Sequence, residues 1–216
     1  MRTASDFDVY YADADPWRIS GASARDEVLR RSVARFVTGK KVLELGCGEG
    51  HLTQALFFDA ANVKGIDISA VAIGRATSKG LPNASFENAD LLNVSYEGYG
   101  VIAAIECLYY LSASEQEDFF AKVAREHSGK ILIVSGPIIG QNEYRKYFTH
   151  ESMLDTFARH GISVIEFHNV NVHRKTPLAN RTVANLTAAL VRAPLGSLVL
   201  DVLPDRLIYQ RCYIAH

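Results

Sequence analysis

From residue 40 to residue 135 short apolar runs alternate with amphipathic stretches, the order expected of strands and helices wound around a parallel sheet. KVLEL (41–45) reads as the first strand, HLTQALFFDA (51–60) as a helix and NVKGIDI (62–68) as a second strand ending near Asp67. Ser69 suits the N-cap of the next helix, which Gly80 and Pro82 close, and ASFENAD (84–90) gives a third strand with an acidic exit. GVIAAIE (100–106) and KILIVSG (130–136) are apolar enough for buried parallel strands. Between them SASEQEDFFAKVAREHSG predicts a helix with overlapping capping boxes at Ser112/Glu115 and Ser114/Glu117.

Beyond Pro137 the pattern changes. A Tyr-rich connector precedes a helix from about Thr149 to His160, and ISVIEFHNVNV alternates as a half-buried strand with which LIYQRCYI can pair. Residues 176–204, with a helix-like RTVANLTAALVRA and an apolar LGSLVLDVL, form an insertion between those strands. Residues 1–39 are expected to be a helical cap containing DEVLRRSVARF, 40–136 a core that binds a cofactor, and 137–216 a substrate-side part, all within one domain. The expected fold class is α/β, a doubly wound, Rossmann-like sheet, mostly parallel with an antiparallel C-terminal hairpin and helices on both faces.

Composition narrows the function. With 216 residues, 48% of them hydrophobic, the chain can bury a full core. A net charge of −1, with both signs scattered, gives no basic footprint for a nucleic-acid partner. No apolar stretch has the length of a membrane span, and no basic-then-apolar leader opens the chain, so no membrane association and a cytoplasmic location are expected. The three cysteines lack metal-ligand spacing and the seven histidines form no ligand pattern, so no metal site is expected; His150 is retained as a substrate-side candidate.

The chemistry concentrates at the strand exits. Glu44-Leu45-Gly46-Cys47-Gly48-Glu49-Gly50 lies directly between strand and helix, where glycines permit positive φ and expose main-chain N–H groups to a ligand. Its G-x-G-x-G spacing departs from the G-x-G-x-x-G of dinucleotide-binding domains. Glu44 would repel a pyrophosphate but attract a cationic ligand or its ammonium group, directly or through water. Asp67, followed by Ile68, suits both hydroxyls of a ribose, a use common to both cofactor classes. Asp90 suits an adenine amino group while Leu91 packs on the ring. Each residue alone also has a structural reading as a tight turn or a helix cap; the ordered set outlines one nucleoside pocket.

ELGCGEG, GIDIS and NADLLN resemble the successive cofactor motifs of class I S-adenosylmethionine-dependent methyltransferases. ADADPWR (12–18) and ECLYYL (106–111) further resemble the NodS-like methyltransferases, which N-methylate a glucosamine unit of a chitooligosaccharide. The resemblance implies S-adenosyl-L-methionine as cofactor, a contact from Cys47 within the Gly loop, and a small-molecule or saccharide acceptor. In such enzymes the N-terminal segment folds over the cofactor. Trp17 would then stack on or shield it, unless it anchors the core, and Arg18 would pair with its carboxylate. Glu106, at the fourth strand's end, is expected either to hold an acceptor amine or hydroxyl and take its proton, or to contact the cofactor or cap a helix. Tyr110, with Tyr109, would wall the sulfonium or a sugar face. The expected activity is N- or O-methyl transfer by a monomer or homodimer; the competing readings are an NAD(P)-dependent oxidoreductase and a non-catalytic cofactor-binding module.

Overall fold

A computed structural model describes residues 3–16, 24–126, 129–140, 145–172, 200–201 and 203–216. Two short helices, α1 (Ala4–Tyr10) and α2 (Ala24–Val37), precede the sheet. The order is then β1 (Lys41–Leu45), α3 (His51–Leu56), β2 (Asn62–Asp67), α4 (Ala70–Ser78) and β3 (Ala84–Asn88). It continues with β4 (Val101–Ile105), α5 (Ala113–Glu126), β5 (Ile131–Pro137), α6 (His150–Arg159), β6 (Val164–Val172) and β7 (Ile208–Ala215).

The seven strands form one sheet in the order β3-β2-β1-β4-β5-β7-β6. Strands β1 to β5 are parallel, whereas β7 runs antiparallel between β5 and β6. The expected doubly wound sheet with its antiparallel C-terminal pair is therefore present. Chain order reverses between β1 and β4, and in such sheets the crevice outside the strand C-termini at that switch point is where ligands bind.

Strand alternation sorts the core into two layers. Val42, Val101, Ala103 and Ile105 pack with Val28, Leu29, Leu52 and Leu56 of α2 and α3 on one face. Leu43, Leu45, Ile102 and Ala104 pack with Phe119 and Phe120 of α5 and Phe157 of α6 on the other. Both α5 phenylalanines are fully buried; truncating either to Ala would cost about 3–5 kcal/mol.

Local boundaries depart from the pattern in four places. α3 stops at Leu56 rather than running to residue 60, because the Asn83 amide captures the Phe57 and Ala60 carbonyls at 2.9 and 3.0 Å. α5 uses only the first capping box: Ser112 N–H donates to Glu115 at 2.8 Å, while Glu117 pairs across with Arg159 at 2.6 Å. α1 lies within the expected N-terminal cap but ahead of DEVLRRSVARF, the one helix expected there; Thr3 and Asp6 cap it reciprocally. β3 ends at Asn88, so Asp90 sits just beyond the strand. RTVANLTAALVRA and most of the 176–204 insertion lie outside the described residues, as do Trp17 and Arg18.

Candidate functional site

A cavity of about 320 Å³ opens at the C-terminal edge of the parallel strands. The exits of β1, β2, β3 and β4 contribute Gly46 to Glu49, Asp67 and Ile68, Asp90 and Leu91, and Glu106 respectively. Phe7 and Tyr11 from the α1 segment and Arg25 from α2 close over them. Every described cofactor or catalytic residue expected from the sequence lines this space, with one exception.

That exception is Glu44. Leu43 and Leu45 face the α5 layer, so alternation turns Glu44 toward α3, where the Thr53 hydroxyl donates to its carboxyl at 2.5 Å. Burial pushes its pKa up to about 8, which leaves it uncharged at neutral pH.

The glycine loop has no spare room. Gly46 has φ +70°, and a Cβ there would lie 2.6 Å from the Cys107 Cβ. Gly48, at φ +53°, would bring a Cβ within 2.6 Å of the Tyr11 hydroxyl. Beneath it Asp67 accepts the Gly48 N–H and the Ser69 N–H, each at 2.9 Å. Burial raises the Asp67 pKa and these amide donors oppose the rise. Asp90 accepts from Leu92 N–H at 3.0 Å and lies beside Leu91 and Leu92 on the wall. Burial also lifts both wall cysteines, Cys47 and Cys107, well above the usual thiol range, so neither is a thiolate nucleophile.

Glu106 carries the sharpest local anomaly. Its φ is +59°, a conformation L-residues avoid, and its N–H donates to Ser135 O at 2.8 Å. Oε2 accepts from the Tyr109 hydroxyl at 3.1 Å, while buried Oε1 finds no hydrogen-bond partner among the described residues. Burial raises its pKa; Arg25 and Arg145 pull it back down. The Arg145 guanidinium lies 4.7 Å over the Tyr110 ring and 5.4 Å over that of Tyr109. Tyr110 also meets the Phe7 ring edge-on at 5.2 Å.

The N-terminal segment is strapped down by charge. Arg75 donates to Glu49 at 2.6 Å, Asp13 O at 2.9 Å and Ala12 O at 3.1 Å, and Asp15 N–H donates to Glu49 at 2.9 Å. Asp15, Glu49 and His51 could share a metal ion, but Arg75 and Lys79 already supply positive charge there, with Lys79 Nζ 3.1 Å from His51 Nδ1. His150 lies off the cavity, its Nδ1 2.9 Å from the Tyr213 hydroxyl. Phe7, Tyr11, Arg25 and Arg145 were missed by pattern reading; the aromatics before residue 12 are a signal for the first two, and no local pattern marks the two arginines.

This architecture matches the Rossmann-like fold of methyltransferases of known structure. Residues 42–126 match a family described as a methyltransferase domain. The chain is 30% identical over 124 residues to the ribosomal protein L11 methyltransferase of Aliivibrio salmonicida, covering 56% of this chain but only 42% of that protein. It is 23% identical over 184 residues to the ubiquinone biosynthesis O-methyltransferase of Burkholderia thailandensis, covering 72% of this chain and 79% of that one. Among solved structures, magnesium protoporphyrin IX methyltransferase from Synechocystis with bound S-adenosylmethionine superposes with a TM-score of 0.67 at 17% identity, covering 100% of this chain and 97% of that one.

Proposed function

We propose that this chain is an S-adenosylmethionine-dependent methyltransferase acting on an amine or hydroxyl of a small molecule or saccharide. The observation that carries this reading is the convergence of four successive strand exits on one cavity, with glycine backbone, two separate acids and an unpartnered buried carboxylate oxygen. The sequence relatives and the structural likeness support it.

The residues present suit the cofactor. Gly46 and Gly48 keep side chains out of the loop beside the cavity, while the Cys47 and Gly48 N–H groups are committed to Ile66 O and Asp67, so the loop offers the amino-acid end a close, shaped backbone. Asp67 accepts the Gly48 N–H on one oxygen and the Ser69 N–H on the other, and the roughly four acceptor sites of a carboxylate leave capacity for a ribose hydroxyl. Asp90 and Leu91 hold the base. The wall is acidic on balance, which suits a sulfonium cation. Glu44, being uncharged, would meet the ligand's ammonium group only through water or the loop.

When bound, S-adenosylmethionine supplies a methyl group on an electrophilic sulfonium. This chain's residues do the rest. The α1 segment, pinned by Arg75, excludes water; the Gly loop and Asp67 fix one partner; the β4 exit orients the other.

Isothermal titration with S-adenosylmethionine and S-adenosylhomocysteine tests the reading, with NADH as the contrasting ligand. Binding of the adenosyl pair is expected. Binding of NADH alone would replace the reading with a dinucleotide-dependent one.

A further inference from the structure

Along the sheet order β3-β2-β1-β4 the cavity wall runs from Asp90 through Asp67 and the Gly loop to Glu106, so Glu106 marks the end away from the proposed nucleoside side. At that end the wall changes character. Phe7, Tyr109, Tyr110 and Leu111 make it aromatic. Gln116 clamps the turn by donating to Leu108 O at 2.9 Å and Lys146 O at 2.7 Å, which holds Arg145 over the two tyrosines.

We propose that the acceptor is a phenol, seated against the aromatic wall of Phe7, Tyr109 and Tyr110 and methylated on oxygen, with Oε1 of Glu106 taking its proton. The inference rests on the methyltransferase reading and deepens it. A buried carboxylate oxygen left without a donor is costly, and among the described residues none supplies one to Oε1, which leaves that oxygen open to a ligand hydroxyl. The strained backbone at Glu106 is held in place for such a contact.

Charge and proton chemistry select the atom. A neutral amine attacks without a base, whereas a hydroxyl nucleophile must lose a proton. Arg25, on the cavity wall but paired with Asp26 at 2.7 Å, and Arg145, above the tyrosines, favour negative charge at Glu106, while Asp26 opposes it. Glu106 is thereby suited to accept a proton from a hydroxyl nucleophile. A phenol, with a pKa of about 10, is within reach of a carboxylate whose own pKa is raised, while an aliphatic sugar hydroxyl lies far above it. Aromatic rings also pack favourably against the edge-to-face walls.

In the step itself the acceptor oxygen bonds to the methyl carbon as the carbon–sulfur bond breaks. The bonding pair leaves with sulfur, giving S-adenosylhomocysteine, and the hydroxyl proton passes to Glu106 Oε1. Charge and atoms balance with no further reactant.

The test incubates the full chain and S-adenosylmethionine with catechol, para-nitrophenol, meta-aminophenol and benzylamine, and identifies products by mass spectrometry. Methyl ethers are expected, with meta-aminophenol modified on oxygen. Para-nitrophenol added to S-adenosylhomocysteine-loaded protein should show increased phenolate absorbance. Glu106→Gln should abolish that increase and slow transfer about 10²–10⁴-fold, with S-adenosylhomocysteine affinity unchanged. N-methylated products, a panel with no methyl ether, or a Glu106→Gln variant that loses cofactor affinity in step with transfer would overturn the proposal. A wild-type chain that fails to bind S-adenosylhomocysteine would instead defeat the methyltransferase reading.

Discussion

The Asp67 carboxylate accepts the Gly48 N–H at 2.9 Å, so the exit of the second strand is stitched to the glycine loop of the first. One side chain thereby sets the loop's shape and presents oxygen to the cavity. Because Asp67 also takes the Ser69 N–H, the start of α4 is fixed in the same act. Loop shape and the βα connections are coupled through this carboxylate.

Asp67→Ala should weaken S-adenosylhomocysteine binding by about 2 kcal/mol, roughly 30-fold, the scale of losing hydrogen bonds to a charged acceptor. Asp67→Asn, which keeps one acceptor for the loop, should lose less. Titration calorimetry on both variants decides it, and an unchanged affinity for Asp67→Ala would mean that the ribose lies elsewhere.

Gly48→Ala should cost more than its missing flexibility. A left-handed non-glycine residue costs about 1–2 kcal/mol, and the new Cβ would also press on the Tyr11 hydroxyl at 2.6 Å. With that hydroxyl removed the nearest Tyr11 atom is 3.6 Å away, so Gly48→Ala combined with Tyr11→Phe should recover part of the loss. A double-mutant cycle on cofactor affinity reads the coupling; strictly additive effects would show that Tyr11 does not press on the loop.

Arg75→Met should release the N-terminal segment, because Arg75 holds Ala12 O, Asp13 O and Glu49 together. The expected local cost is about 1–3 kcal/mol, seen as faster amide exchange over residues 4–16 with little change in the sheet. For Glu49, burial acts to raise the pKa, but Arg75, the Asp15 amide and His51 outweigh it, and the net value falls below 4.5. A depressed pKa gives stability that is fully present above pH 4.5 and lost as pH falls through the folded value. Wild-type protection of the segment should therefore drop in acid, and the Arg75→Met variant should show a weaker dependence.

How much of this could be read in the sequence depends on what kind of signal each part carries. The β-strand exits were readable because Gly46, Gly48, Asp67 and Asp90 act through local backbone position, which spacing reports. Glu106 was readable from its place after an apolar strand; its positive φ and bare oxygen were not, since both come from packing against Ser135 and Tyr109. Glu44 was expected near the ligand's ammonium group, directly or through water; the strand's two-residue period turns its side chain toward Thr53 and off the cavity lining, a placement its sign and neighbours did not signal. Arg25 and Arg145 reach the β4 exit from distant parts of the chain, contacts that no periodicity encodes. α1 is only seven residues long, too short for an amphipathic repeat to stand out.

Glu44 supplies the last prediction, through the pH dependence of stability. Its folded pKa, pushed by burial up to about 8, exceeds the ordinary 4.5. Between those values the unfolded chain has released the proton and the native protein keeps it, so stability falls as pH rises across the window. The slope from this group is about 1.4 kcal/mol per pH unit. Glu44→Gln retains an acceptor for the Thr53 hydroxyl and has no proton to lose. Its urea midpoint should therefore decline less steeply than that of the wild type between about pH 5 and pH 8, and the two should differ most at the alkaline end. Parallel pH profiles would show that Glu44 ionises freely, and hence that water reaches it beneath the loop.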